Sequence, residues 1–246
     1  MSEYQKLTRQ LIKQIRNDDG NMVLTEEGKL ILFKRTRLLA GANNKIDLIK
    51  ELLKPYASEK HILVYCGATT VGVDNQIKQI DAVTDLIQNE LNMNVHKFTA
   101  EENLNQREII KKCFSNGIYQ VITAIKCLDE GVNIPDIKTA FIMSSSRNPK
   151  EFIQRRGRLL RKSDNKSKSE IFDFITLPRR FEEVAFSSYE EDKSIINGEL
   201  ARIYEFGRLA DNKMESDKII DAIQDIYGVN IDITDCIREM EGISYE

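Results

Sequence analysis

Hydrophobic and polar positions change period several times along this chain. Near the start, Tyr4, Leu7, Leu11 and Ile15 fall on one face of a 3.6-residue period, which predicts a helix over 3–16. Asn17-Asp18-Asp19-Gly20-Asn21 breaks that pattern. Helical spacing resumes over 25–40 with Thr25 placed as N-cap. After Gly41-Ala42-Asn43 it returns over 44–54, up to Pro55. From residue 61 the pattern alternates. Short apolar runs at 61–66, 94–98, 119–123, 139–143 and 170–175 read as strands. Helical stretches at 76–91, 105–115 and 149–161 separate them. Asn105 and Glu108 have capping-box spacing, and Pro149 opens its helix near the first turn. Beyond residue 179 the pattern is helical again, at 182–210, 216–227 and 233–240, with Asn197-Gly198 interrupting the first of these.

Strands that alternate with helices predict an α/β fold: a doubly wound, mostly parallel sheet with helices flanking it. In such sheets ligands bind at the carboxyl ends of the strands. The chain divides into a helical lead-in (1–44), the α/β domain (45–178) and a helical extension (179–246). No internal repeat or low-complexity stretch interrupts this order.

Composition narrows the class. With 246 residues, 41% hydrophobic and 30% charged, the chain is a soluble globular protein with room for one large domain and appendages. Its net charge of −3 hides a strong asymmetry. Residues 147–180 hold eleven Lys/Arg against four Asp/Glu, so this segment carries seven excess positive charges and the remainder ten net negative ones. A basic segment in an acidic chain predicts a phosphate-bearing partner on one face. Cys66, Cys113, Cys127 and Cys236 are widely spaced, and His61 and His96 stand alone. That spacing predicts no metal site and no disulfide framework, and it fits a reducing cytoplasm. The N-terminus lacks a signal-peptide hydrophobic region, and no apolar run approaches the roughly 20 residues of a membrane span, so no membrane partner is expected.

The candidate chemistry is concentrated in two segments. Residues 154–161 read Gln-Arg-Arg-Gly-Arg-Leu-Leu-Arg, about twenty residues after Leu128-Asp129-Glu130-Gly131-Val132-Asn133-Ile134-Pro135. Guanidinium is planar, always charged and bidentate toward phosphate. On a helix Arg158 and Arg161 share a face, so two positive charges converge on one target, as a transferring phosphoryl group requires.

These segments resemble motifs V (121–135) and VI (154–161) of superfamily 2 helicases and translocases, the DEAD/DEAH-type nucleic-acid motors. Weaker likeness extends to motif IV (62–66) and to Phe98-Thr99-Ala100 with Arg107. The resemblance implies a RecA-like fold and covers about residues 45–178. No Gly-x-x-x-x-Gly-Lys-Ser/Thr loop and no acidic box after a hydrophobic strand occur in the chain. In this family those elements hold ATP and Mg²⁺. The expectation is therefore a second motor domain whose ATP and Mg²⁺ are bound mainly by an N-terminal RecA-like motor domain, encoded upstream or supplied separately.

By the same resemblance Arg158 and Arg161 are the arginine fingers. Gln154 orients the nucleotide or the arginines. Arg155 fits an interdomain ion-pair or nucleotide position, and Arg156 either a surface charge or a strand contact. Gly131 lets backbone approach the cleft. Asn133 stands where the family more often has Asp, which keeps a ribose contact but removes its charge. Glu130 either pairs with a motif VI arginine or is a solvated acid. Gly67, Thr99 and Arg107 follow strands where the family touches the strand being tracked. The alternatives are ordinary turn chemistry for the first two and an ion pair with Glu108 for Arg107. The family threonine six residues before the motif V glycine is here Ile125, and Thr123 is not a clean substitute. That shifts the expected motif V phosphate contact to the backbone of Ala124 to Lys126 or to the Lys126 ammonium. Lys166 and Lys168 read as exposed charges without a role.

The leading reading is the second motor domain of an ATP-dependent helicase or translocase that grips a nucleic-acid backbone, with DNA favoured over RNA. The second is a non-catalytic module that uses the same fold to bind nucleic acid or protein, with a place in a restriction or defence complex as a variant. Two converging arginines favour the motor, because a scaffold has no use for them.

Overall fold

The computed structural model describes residues 3–18, 21–42, 44–72, 76–125, 137–145, 149–161, 166–185 and 188–242. They form two compact units: Gly41–Ile175, and Met1–Ala40 together with Thr176–Gly242. The lead-in and the extension, far apart in sequence, thus share one unit.

In that composite unit α1 (Glu3–Ile12) leads to an antiparallel hairpin, β1 (Ile15–Asp18) and β2 (Asn21–Leu24). Asn17, Asp18 and Asn21, read as part of a break between helices, lie in these strands, and β1 shortens the predicted first helix, which ends at Ile12. Thr25 accepts the Gly28 amide at 3.0 Å, as its placement before α2 (Glu26–Ala40) predicts. Tyr4 and Arg35 join α1 to α2. Both are buried, the phenol accepts a guanidinium hydrogen bond, and the guanidinium lies over the ring at 4.7 Å.

The second unit begins with α3 (Asn44–Leu53) and a 3₁₀ turn, Lys54–Tyr56, where Pro55 ends the helix. Next come β3 (Ile62–Tyr65), a small antiparallel hairpin of β4 (Thr70–Val71) and β5 (Ile77–Lys78), α4 (Gln79–Asp85) with a π-helical turn over Leu86–Glu90, and β6 (Val95–Phe98). Then follow α5 (Leu104–Ser115), β7 (Val121–Ala124), β8 (Thr139–Ile142), α6 (Pro149–Leu159) and β9 (Glu170–Asp173). The capping box of α5 is Asn103 with Gln106, two residues before the predicted pair.

The main sheet has the order β6-β7-β3-β8-β9, and every pairing is parallel. Its three central strands, Ile-Leu-Val-Tyr, Val-Ile-Thr-Ala and Thr-Ala-Phe-Ile, are buried throughout, as a sheet covered on both faces demands. Alternation sorts them. Ile62, Val64, Val121 and Phe141 join Ile49 and Leu53 of α3 and Ile80 and Val83 of α4 in one cluster. Tyr65, on the opposite face, meets α6. The doubly wound fold expected from the alternation is the fold observed.

Returning to the composite unit, α7 (Ser188–Gly207) is its buried axis and packs against α8 (Lys213–Tyr227) and α9 (Ile233–Gly242). Asn197 and Gly198 do not interrupt it; both are buried mid-helix, and Asn197 accepts the Tyr189 hydroxyl at 2.9 Å. The axis carries paired charges. Arg179 donates to buried Asp192 at 2.5 Å and to Glu191 at 2.6 Å, and Arg202 donates to Glu199 at 2.7 Å. The Arg179 hydrogen bond holds the Glu191 carboxyl below its ordinary range. Among the described residues no helix is long and apolar enough to cross a membrane, and no cluster of His, Cys, Asp or Glu is arranged to hold a metal.

Candidate functional site

The strand register places Phe98, Ala124, Tyr65, Ile142 and Asp173 in one row. All five strands therefore end together, and the residues that follow them line the carboxyl edge of the sheet. Thr99 and Gly67 both lie just past that row. Gly67 is buried and its amide donates to Gln79 Oε1 at 2.7 Å. Thr99 donates its amide to Glu102 Oε2 at 2.6 Å and its hydroxyl to the same carboxylate at 3.0 and 3.2 Å. Arg107 reaches back from α5, donating Nε to the Glu102 carbonyl at 3.0 Å and Nη2 to the Thr99 carbonyl at 3.2 Å. Glu108, the alternative partner, pairs instead with Lys111 at 2.9 Å, and that hydrogen bond lowers its pKa. Thr99 and Arg107 are thus brought together in one closed loop, with Glu102 accepting from the Thr99 amide and hydroxyl. Sequence reading missed Glu102, although Thr-x-x-Glu is a spacing that returns a carboxylate to a threonine amide.

Ala124 ends β7 with a buried side chain, and its carbonyl accepts the Cys66 amide at 2.8 Å. Thr123 points inward, where its hydroxyl is 2.7 Å from that of Thr84, so it offers nothing to a strand. Ile125 packs against the core. Lys126, Glu130, Gly131 and Asn133 lie outside the described residues.

The motif VI segment lies on α6. Arg155 is 1% exposed. Its guanidinium stacks 4.0 Å from the Tyr65 ring centroid and donates to the Tyr65 hydroxyl and to Ser145 Oγ, each at 3.1 Å. It anchors α6 to the end of β3, and this burial leaves it no surface toward a nucleotide. One turn on, Arg158 is half-buried, and its Nη1 is shielded from solvent without a hydrogen-bond partner. Gln154, Gly157 and Arg161 are exposed, and Arg156 is half-buried. A Cβ on Gly157 would meet nothing within 4 Å, so packing inside this unit does not require a glycine there. Arg161 sits just beyond α6 in a tightened turn, its amide donating to the Arg158 carbonyl at 3.3 Å.

The far end of α6 is held by Lys166, which is half-buried rather than exposed. Its ammonium donates to the Leu159 carbonyl at 2.7 Å and to the Ile137 carbonyl at 2.9 Å. Ile137 lies just before β8, so α6 ends beside the amino end of that strand, while Arg155 reaches back to Tyr65 at the carboxyl end of β3. Eleven helical residues at about 1.5 Å each span roughly 16 Å, enough to cross the sheet from edge to edge. Arg158 and Arg161 are thereby carried away from the edge that bears Thr99 and Gly67. Nothing in the spacing of Lys166 announces this contact.

A five-stranded parallel sheet with site residues on its carboxyl edge and an arginine-bearing helix across it is the architecture of a RecA-like motor domain. The model of the helicase conserved C-terminal domain matches residues 44–163, and this unit is a helicase C-terminal domain of the superfamily 2 type. The chain is similar to the DNA 3'-5' translocase XPB2 of Sulfurisphaera tokodaii, 30% identical over 141 residues, which is 57% of this chain and 29% of that protein. It spans less than a third of the length of the curated relatives it matches. Among solved structures the yeast DEAD-box splicing factor Prp28 aligns with a TM-score of 0.50 and 19% identity over 78% of this chain and 36% of that one, a likeness of fold.

Proposed function

We propose that this chain acts as the second motor domain of an ATP-dependent helicase or translocase that tracks DNA in preference to RNA. ATP with Mg²⁺ supplies the phosphoryl bond whose hydrolysis drives the cycle, and a first motor domain holds most of it. The observation that carries the reading is on α6. Arg158 presents a shielded guanidinium nitrogen with no acceptor, as Arg155 Nε also does, but unlike Arg155 it is only half-buried, and it stands beside a glycine that no neighbour in the unit requires. A buried donor without a partner is costly, and an anionic oxygen delivered across a cleft would satisfy it. Arg161 adds a second charge, and exposed Gln154 can orient either group.

The strand is proposed to run along the carboxyl edge of the sheet, over Gly67, Thr99, Arg107 and the Ala124 end of β7, with Lys126 contributing from the motif V segment. Glu130, Gly131 and Asn133 are assigned to the nucleotide side. Binding at such an edge uses backbone phosphates and carries no sequence readout. The chain is proposed to work in a reducing cytoplasm, where Cys66 and Cys236 remain buried thiols.

The test is strand-stimulated ATP turnover by the protein joined to a first motor domain that carries a phosphate-binding loop. Arg158→Ala and Arg161→Ala should each lower kcat by about 100-fold or more while nucleotide affinity changes by no more than about 3-fold. Lysine at either position should not restore the rate, because the planar fork is lost. Equal loss of binding and turnover would make the pair a ground-state clamp. Turnover by residues 1–246 alone, above a double-arginine control, would overturn the division of labour.

A further inference from the structure

We infer that Lys166 is a positioning residue for the arginine pair, tying the end of α6 to the entrance of β8. This inference rests on the proposed role of Arg158 and Arg161. Four observations carry it.

The Leu159 carbonyl lies between the two arginines in sequence and belongs to the last turn of α6, whose carbonyls have no partner within the helix. It accepts two hydrogen bonds from outside the helix, from Lys166 Nζ at 2.7 Å and from Ser169 Oγ at 3.2 Å. The same ammonium donates to the Ile137 carbonyl at 2.9 Å, so one charge bridges two segments. The surroundings are firm. Leu159 is fully buried and Ile137 is 3% exposed, and the next amide after Ile137 donates to the His61 carbonyl at 2.9 Å, fastening that segment to the start of β3.

The physics favours a cation here twice over. A helix C-terminus carries partial negative charge, and a side-chain ammonium on its last carbonyls stabilises the final turn. Three rotatable donors on a flexible stem also let lysine serve two carbonyls at once. Arg155 fixes α6 one turn before Arg158, and Lys166 fixes it one residue after. Arg158 is therefore held between two anchors, and Arg161 leaves the helix directly past the second. Ile137 also lies two residues past the motif V segment in sequence. The ammonium thus links the entrance of β8 to the end of the motif VI helix.

Two measurements test the clamp. In the first, amide hydrogen exchange is followed on residues 1–246 without any partner. Lys166→Met should raise exchange of the amides of 156–161 by about 10-fold or more and leave the amides of β3 and β7 unchanged. Uniform loosening of the sheet would make Lys166 a general stability residue and overturn the inference. In the second, turnover is measured in the protein joined to its first motor domain. Lys166→Met should lower kcat by about 10-fold, with nucleotide KM and single-strand affinity within about 2-fold. Lys166→Arg should recover most of the rate, because it restores a cation with several donors, and Ser169→Ala should lower kcat by about 2-fold. If Lys166→Met does not yield folded protein, Lys166→Gln against Lys166→Arg makes the same comparison. Loss of turnover in Arg158→Ala with full turnover in Lys166→Met would overturn the clamp alone. Full turnover in both would overturn the clamp and the arginine-finger reading together.

Discussion

At the residue scale, the carboxylate of Glu102 has the most direct consequence. It accepts from the amide and hydroxyl of Thr99, the donors on the proposed strand path. Replacing it with alanine removes both the competing acceptor and a like charge, a solvent-screened effect of at most about 1 kcal/mol. Glu102→Ala should therefore tighten single-strand binding by about 3-fold in a fluorescence titration at low salt. Part of that gain should be lost in a Thr99→Val background, which removes the hydroxyl and keeps the amide. Full tightening retained in Thr99→Val would mean that the Thr99 hydroxyl is not a contact. Arg155 makes the opposite case, a charge spent inside the fold. Arg155→Met removes two hydrogen bonds and a ring contact from a buried site, and it should lower unfolding stability by about 2–4 kcal/mol in denaturant melts. Arg155→Lys should recover little of that, because a point charge cannot bridge Tyr65 and Ser145 while stacking.

At the scale of elements, α5 separates two placements of the same motif. Asn103 accepts the Gln106 amide at 3.0 Å, and Gln106 accepts the Asn103 amide at 2.9 Å. Asn103→Ala should cost about 1 kcal/mol in thermal or chemical unfolding. Asn105→Ala, at an exposed position inside the helix, should cost little or stabilise slightly. A larger loss at Asn105 would contradict the observed start of the helix. The segment Asn103-Leu104-Asn105-Gln106 offers two capping residues two positions apart, and helical periodicity cannot choose between them. The choice falls to the end of β6 and to Arg107, which hold the loop at Thr99 and Glu102.

At the scale of the molecule, the composite unit makes a prediction that sequence order would not. Residues 1–40 and 176–242 share one compact unit, whereas Gly41–Ile175 holds the parallel sheet. Removing 1–40 should strip protection from α7, α8 and α9 in limited proteolysis and leave β3, β7 and β8 resistant. Cleavage confined to the new terminus would mean that the C-terminal helices fold without the lead-in. Strand binding by the whole chain should be weak and should fall steeply as salt rises, since counterion release from phosphates drives it. A flat salt dependence would remove the sheet edge as a phosphate track.

The sequence by itself determined the α/β unit, because each of its elements is written in local pattern. Fully apolar four-residue strands need cover on both faces, and helices of the right length separate them. It also determined the class of motor domain, because the motif VI arginines and the motif V loop are contiguous in the chain. Only the tertiary structure decided which arginines keep a solvent-facing surface: burial against Tyr65 removes Arg155 from solvent, whereas Arg158 stays half-buried and Arg161 exposed. Only the tertiary structure joined the lead-in to the extension, and placed Lys166 under Leu159 and Glu102 on Thr99. Periodicity reports which face of an element is buried, but not what it is buried against. A cation's partners, like a carboxylate's, are set by segments that meet only when the chain has folded.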